Sequence, residues 1–148
     1  MLYQPEIPQN TGNIVRTCAA TGSGLHLIRP LGFAWDDAKL KRAGLDYWTQ
    51  LDIRFYDGWD DFTARANSAG QIWTLSTHGT KSYADAVFGP EDYLVFGQET
   101  AGLPPAVRTA YPSLRVPMRP SLRSLNLSNT VALVLYEALR QNGFAGLR

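Results

Sequence analysis

Three short polar segments contain the residue types that bind ligands or take part in catalysis. The first, residues 8–16, reads PQNTGNIVR, and either Asn10 or Thr11 can cap a helix that begins there. A capped helix start leaves neighbouring backbone N–H groups free to face an anion, and Arg16 lies within side-chain reach of that end. The segment predicts an anion site, with an ordinary capped surface helix as the alternative.

The second segment, residues 96–104, reads FGQETAGLP and directly follows a predicted buried strand. Gly97 allows a ligand to approach the backbone closely, and Glu99 places a carboxylate at the carboxyl end of that strand. Gly102 and Pro104 suit a turn into a following helix, which any strand–turn–helix unit would require. Such a unit has no need of Glu99, so the segment indicates a functional loop.

The third segment, residues 121–129, reads SLRSLNLSN and crowds hydroxyl and amide side chains into the start of the last predicted helix. They are Ser124, Asn126, Ser128 and Asn129. One side chain is enough to cap a helix, so the surplus indicates contacts to a ligand or to backbone elsewhere. The alternative is an elaborate helix cap.

The elements that must position these segments alternate along the chain. Short apolar runs predict strands at 25–28, 51–56, 72–75, 93–96 and 114–116. Helices are predicted at 11–21, 36–42, 59–67, 105–110 and 126–141, with a short turn near 83–86. This alternation predicts one α/β domain over residues 1–148, with a mainly parallel sheet flanked by helices and ligand sites at the carboxyl ends of the strands.

Composition argues against several classes of protein and of site. The chain of 148 residues has one cysteine, Cys18, so an intramolecular disulfide is impossible and a reducing, cytoplasmic location is expected. The apolar run at residues 131–136 is far shorter than the ~20 residues that span a bilayer, so no membrane segment is expected, nor a signal peptide. His26 and His78 are isolated, so no metal site is predicted, and neither a P-loop nor a dinucleotide fingerprint occurs.

The formal net charge of +1 conceals an uneven distribution along the chain. Residues 105–148 contain six arginines and one acid, Glu137, for a net charge of +5, whereas the other 104 residues carry −4. Such asymmetry is typical of chains that contact a polyanion, and arginine suits bidentate recognition of phosphate. The alternative is that exposed charges simply fall unevenly along the chain.

The order and spacing of the three segments resemble those of the SPOUT (α/β-knot) RNA methyltransferases. Within that family the chain is similar to the small tRNA 2′-O-methyltransferases that act at the wobble nucleotide of the anticodon. The match includes residues 3–13, 31–37 and 42–47 and covers nearly the whole chain. Two positions depart from the pattern of close relatives: Gln98, where they often have proline, and Ala101, where they often have arginine.

The resemblance implies a trefoil knot in the C-terminal region, a homodimer in which the knotted faces pack together, and S-adenosylmethionine as the methyl donor, without a metal. The implied partner is the anticodon stem–loop of tRNA, methylated on the ribose 2′-OH of a wobble cytidine or 5-carboxymethylaminomethyluridine. The family's cofactor-binding positions fall on Leu75, Gly97, Val116 and Ser124. Its catalytic positions fall on Asn10, Arg16, Glu99, Ser124 and Asn126.

These positions imply a division of roles. Arg16 would stabilise the developing alkoxide beside the cofactor of the other subunit, while a phosphate oxygen or water takes the proton, because arginine itself stays protonated. Asn10, Ser124 and Asn126 would orient Arg16 and the ribose, and Glu99 would hold the motif loop or the arginine. Two alternatives stay open: a knotted 2′-O-methyltransferase for ribosomal RNA, and a non-catalytic dimeric RNA-binding module.

Overall fold

Seven strands form one sheet in the computed structural model, which describes residues 1–36, 51–66 and 68–148. The spatial order is β3-β2-β1-β6-β4-β7-β5, and every pairing is parallel. The predicted α/β class with a parallel sheet is confirmed. The strands are β1 (Leu2–Tyr3), β2 (Leu25–Ile28), β3 (Ile53–Tyr56), β4 (Ile72–Leu75), β5 (Lys81–Ser82), β6 (Tyr93–Phe96) and β7 (Ser113–Arg115).

Four helices accompany the sheet within the described ranges. They are α1 (Pro8–Thr21), α2 (Trp59–Arg65), α3 (Pro105–Ala110) and α4 (Leu127–Gln141), and a 3₁₀ turn covers Tyr83–Asp85. The predicted helix at 36–42 lies outside the described residues, apart from Asp36, which is not helical. No helix in the described ranges is long and apolar enough to cross a bilayer.

Helix α1 begins three residues earlier than predicted, because Pro8 occupies its first turn, where a missing N–H costs nothing. The N-cap residue is Ile7, which supplies no side-chain hydrogen bond. The prediction that Asn10 or Thr11 caps the helix is therefore wrong: both lie inside the first turn and are buried. Gly22, with φ 69°, ends the helix in the left-handed conformation.

Strand β1 has two residues but lies in the middle of the sheet. Leu2 pairs with Leu27 of β2 on one side and with Phe96 of β6 on the other, and its side chain is buried. All three strands point the same way, so the loop after β1 and the loop after β6 leave the sheet side by side. That adjacency brings the first and second polar segments together.

An aromatic cluster that includes one half-buried histidine packs against β2 and β3. The His26 ring stacks on Tyr56 with centroids 5.6 Å apart, and it meets the edges of Phe62 and Tyr93 at 6.1 and 5.5 Å. Its Nδ1 lies 2.7 Å from the Tyr56 hydroxyl. The expected structural role of His26 agrees with this packing.

Folding stability is expected to fall as the pH drops from 6.5 towards 4, because His26 is held neutral. Burial, helped by the positive N-terminus and Arg54, lowers the pKa of His26 from 6.5 to about 4. Between pH 6.5 and pH 4 the unfolded chain binds a proton at His26 that the folded chain does not bind. The contribution of neutral His26 to the free energy of unfolding is therefore fully present above pH 6.5 and is lost on acidification. Urea denaturation at pH 7 and pH 5 measures the effect.

Carboxylates also titrate in this range and contribute to the pH dependence of stability. The wild type is therefore compared with His26→Gln, which keeps a polar partner for Tyr56 but cannot titrate. The variant should lose less stability than the wild type between pH 7 and pH 5. Parallel stability curves for the two proteins would contradict the assignment.

Candidate functional site

A cavity of about 530 Å³ opens at the carboxyl ends of β4, β6 and β7. Its volume falls within the roughly 300–1,000 Å³ that small-molecule sites occupy, and its place is the one expected for a ligand in a parallel sheet. The predicted positions that line it are Leu75, Gly97, Val116 and Ser124, together with Asn10, Glu99 and Asn126. Arg16 is not among the lining residues, so one chain brings together all but one of the predicted site residues.

The side chain of Glu99, in the loop after β6, makes hydrogen bonds to the residues that precede α1. Its Oε2 accepts from the backbone N–H of Glu6 at 2.8 Å, and its Oε1 accepts from the N–H of Ile7 at 3.2 Å. The Asn10 side-chain amide also donates to Oε1, at 3.1 Å. The anion expected at this helix end is thus supplied by the chain itself, since a carboxylate is favoured at the positive end of a helix.

An amide bridge links the first polar segment to the third. Asn126 Nδ2 donates to Asn10 Oδ1 at 2.9 Å. The same side chain caps α4, since its Oδ1 accepts from the Ser128 N–H at 2.9 Å and hydroxyl at 2.7 Å, and from the Asn129 N–H at 3.3 Å. Asn126 is therefore both a helix cap and a bridge, and its bonds continue through Asn10 to Glu99.

Gly97 lines the cavity, as predicted, and also makes a close contact within its own loop. A Cβ at this position would overlap the backbone carbonyl carbon of Gly102 and the nitrogen of Leu103, and would lie 2.6 Å from the Gly102 oxygen. The close approach that only glycine allows is therefore made by the chain's own backbone. Gln98 and Gly102 close this loop with reciprocal backbone hydrogen bonds of 3.1 and 3.0 Å, and Gly102 has φ 69°.

The remaining predicted cofactor residues, Leu75, Val116 and Ser124, also line the cavity. Leu75 is buried at the end of β4, and Val116 is half-buried directly after β7. Ser124 is exposed and lines the cavity, as does His78. The cavity thus combines an apolar wall with a polar rim, which suits a ligand that has a flat apolar part and hydrogen-bonding groups.

Comparison with known families decides the assignment of the chain. The model of the SpoU rRNA Methylase family matches residues 1–136. The chain belongs to the SpoU rRNA methylase family. The predicted resemblance to RNA methyltransferases is thereby confirmed.

Individual SpoU relatives match over nearly their full length. The chain is 51% identical to the tRNA (cytidine(34)-2′-O)-methyltransferase of Burkholderia ambifaria, over 99% of this chain and 96% of the relative. A solved structure concerned with the 2-OH methylation of C/U34 on tRNA superimposes with a TM-score of 0.90 at 48% identity, covering 96% of this chain and 93% of that one.

A more distant SpoU structure was solved with a cofactor. It is the SpoU methyltransferase AviRb of Streptomyces viridochromogenes in complex with AdoMet, with a TM-score of 0.83 at 28% identity. The alignment covers 99% of this chain and 57% of AviRb. In the described part of this SpoU chain, no cluster of three His, Cys, Asp or Glu side chains could hold a metal ion.

Arginine side chains near the site have no acidic partner among the described residues. Arg108 and Arg123 line the cavity, and Arg16 is exposed on α1; within residues 1–36, 51–66 and 68–148 none of the three forms an ion pair. Arg140, by contrast, is paired with Glu137 at 2.8 Å. The sequence shows the charges of Arg108 and Arg123 but not their location, because only the fold brings α3 and the third segment to the same cavity.

Sequence reasoning missed Glu6 and Thr100 of this SpoU site. The Thr100 backbone N–H donates to the Glu6 carboxylate at 2.9 Å, and its hydroxyl lies 2.9 and 2.8 Å from the two carboxylate oxygens. Both residues lie inside segments that carry the family resemblance, but nothing else in the sequence points to them. The contact between them could not be predicted from local sequence, because they are 94 residues apart.

Glu99→Gln is expected to lower kcat/KM for methyl transfer about tenfold, which is the effect of losing one hydrogen bond to a charged group. Both carboxylate oxygens of Glu99 face N–H donors, so an amide nitrogen would oppose at least one of them. Steady-state methylation assays measure the change. Asp60→Asn, the same chemical change at an exposed position on α2, should leave kcat/KM unchanged, and equal effects of the two substitutions would contradict the role of Glu99.

Proposed function

We propose that this protein transfers a methyl group from S-adenosylmethionine to the ribose 2′-OH of the wobble nucleotide of tRNA, cytidine or 5-carboxymethylaminomethyluridine. The observation that carries the proposal is the connected set Glu99–Asn10–Asn126 at the rim of the cavity, which joins all three polar segments. The 51% identity to a tRNA (cytidine(34)-2′-O)-methyltransferase along 99% of the chain supports this choice of substrate.

The cavity fits S-adenosylmethionine in size and in chemistry. Leu75 and Val116 provide an apolar wall for the adenine ring, and Gly97 and Ser124 contribute backbone and hydroxyl groups near it. The AdoMet complex of AviRb, which shares this fold, supports the same donor. When bound, the donor supplies a methyl group activated by an adjacent sulfonium charge.

The protein's own residues then position the ribose and stabilise the charge that develops on its oxygen. Removing the 2′-OH proton leaves an alkoxide, which the permanently charged guanidinium of Arg16 stabilises while a phosphate oxygen or water accepts the proton. Asn10, Ser124 and Asn126 orient the ribose by hydrogen bonds. Glu99 holds the start of α1, the helix that carries Arg16.

The active unit is a homodimer. Arg16 does not line the cavity of its own chain, so the complete site requires Arg16 from a second copy. Large apolar side chains on α4 and just after it support such a contact: Leu133, Tyr136 and Phe144 are 45%, 46% and 39% exposed. Side chains of this kind, exposed together, mark a protein–protein interface.

The chain forms a single knotted domain that acts in the cytoplasm. Support for a C-terminal trefoil knot comes from the strand order β6-β4-β7 and from two close backbone contacts, Gly97 with Gly102 and Gly79 with Leu114. A tRNA substrate and a free, buried Cys18 support a reducing compartment.

The test of this function is transfer of a labelled methyl group from S-adenosylmethionine to tRNA that lacks wobble modification, followed by mapping of the modified nucleotide. Label at the wobble ribose is expected, and tRNA already methylated there should accept none. Label in ribosomal RNA alone would favour the alternative substrate. Binding of both donor and tRNA without any transfer would identify a non-catalytic RNA-binding module and overturn the proposal.

A further inference from the structure

The loops after β1 and β6 each provide a carboxylate that binds the other loop. Glu6, after β1, accepts hydrogen bonds from the backbone N–H and the hydroxyl of Thr100. Glu99, after β6, accepts from the backbone N–H of Glu6 at 2.8 Å. The two sets of bonds run in opposite directions between the same pair of loops, and we call them together the carboxylate clasp.

The clasp joins the two halves of the proposed site. Thr100 lies in the loop of residues 97–103, which lines the cavity, whereas Glu6 leads directly into α1 and does not line the cavity. Glu6 is held from behind as well: the Gly32 N–H donates to the Pro5 carbonyl at 2.9 Å, and a Cβ at Gly32 would lie 2.8 Å from the Glu6 Cα. The backbone around Glu6 is therefore held in place, and the loop of residues 97–103 is hydrogen-bonded to its side chain.

We propose that Glu6 is a positioning residue for the proposed methyl transfer, holding the loop of residues 97–103 in the form that receives S-adenosylmethionine. The inference rests on the proposed function. A loop that is already ordered binds its ligand without a further entropic cost, whereas a released loop has to be ordered on binding. Glu6 acts through Thr100, so its loss should weaken donor binding more than it slows the chemical step.

The experiment measures KM for S-adenosylmethionine and kcat in four variants. Glu6→Ala removes the acceptor and should raise KM about tenfold while kcat changes less than about threefold. Glu6→Gln should stay within about threefold of the wild-type KM, because its amide oxygen still accepts from the Thr100 N–H and its amide N–H donates to the hydroxyl. Thr100→Val should raise KM about threefold, and Thr100→Ser, which keeps the hydroxyl, should match the wild type.

Two measurements keep the inference separate from the proposed function. In ligand-free protein, the backbone amide of Thr100 should exchange with solvent about tenfold faster in Glu6→Ala than in the wild type. Asp85→Ala, which removes an exposed carboxylate that does not line the cavity, serves as the matched control and should change neither KM nor the exchange rate. A wild-type protein that does not bind S-adenosylhomocysteine would contradict the proposed function but leave the exchange result to decide whether the clasp holds the loop.

The double variant Glu6→Ala/Thr100→Val should be no worse than Glu6→Ala, because both substitutions remove the same interaction. Additive effects would overturn the inference. So would a Glu6→Ala protein with a wild-type KM and wild-type exchange at Thr100. If Glu6→Ala does not fold, the KM of Thr100→Val tests the inference instead, since this variant keeps the hydrogen bond from the Thr100 backbone N–H to Glu6. A wild-type KM in Thr100→Val would then overturn the inference.

Discussion

Gly97→Ala is expected to reduce kcat/KM for methyl transfer by at least about 100-fold, with the loss mainly in donor binding. The added methyl would overlap the backbone of Gly102 and Leu103, which cannot move aside as a flexible side chain could. The loop of residues 97–103 must then leave its place at the cavity and with it the reciprocal bonds between Gln98 and Gly102. Calorimetric titration with S-adenosylhomocysteine, together with methylation assays, measures both effects.

The matched control is Gly58→Ala, at the start of α2, where a Cβ meets nothing within 4 Å. This variant should keep wild-type affinity for S-adenosylhomocysteine. Thermal unfolding of both variants shows whether Gly97→Ala still folds. A folded Gly97→Ala protein with unchanged donor affinity would mean that the loop can shift without affecting the cavity, contrary to the role assigned to Gly97.

Arg16→Ala is expected to lower kcat by about 100- to 1,000-fold, the loss found when one group that stabilises a developing oxyanion is removed. Donor affinity should change far less than kcat, because the proposed role of Arg16 is to stabilise the alkoxide that forms on the ribose rather than to hold the donor. Arg16→Lys should recover part of the rate, since it keeps the charge but not the planar donor array. Arg140→Ala, which removes an arginine already paired with Glu137, should leave kcat unchanged.

The two variants together test whether the site is shared between subunits. In a mixed dimer of Arg16→Ala and Gly97→Ala chains, one site combines the intact loop of the first chain with the intact Arg16 of the second. Co-expression in equal amounts should therefore restore about a quarter of wild-type activity, because half the dimers are mixed and each has one intact site of two. No recovery from two folded, dimeric variants would place Arg16 and the loop of one chain in the same site.

Much of the fold could be predicted from local sequence patterns. The strands at 25–28, 72–75 and 93–96 and the helix at 105–110 lie where they were predicted, because apolar runs bounded by glycine and proline specify such elements locally. The strand expected at 114–116 is displaced by one residue, to Ser113–Arg115. The strand β5 could not be predicted from the sequence, since its two residues are too few to show the alternation of apolar and polar side chains that marks a strand.

The start of α1 shows where local reasoning fails. Asn10 was assigned as a possible cap because short polar side chains prefer that position. In the structure Glu99 contacts the chain entering the helix, 93 residues away in the sequence, which leaves the Asn10 side chain to bridge Glu99 and Asn126. A local rule cannot identify an acceptor supplied by another strand, and the same limit applies to the pairing of Glu6 with Thr100.

The local sequence was enough to select Asn10, Glu99 and Asn126 as candidate site residues, because residue type and spacing within the three polar segments are properties of the chain alone. The tertiary structure decided how they are connected. Strand β1 lies between β2 and β6, so loops that are about 90 residues apart leave the sheet together and exchange hydrogen bonds. The tertiary structure also placed the backbone of Gly102 and Leu103 against Gly97 and left Arg16 out of the lining of its own cavity, and neither arrangement follows from residue type or spacing.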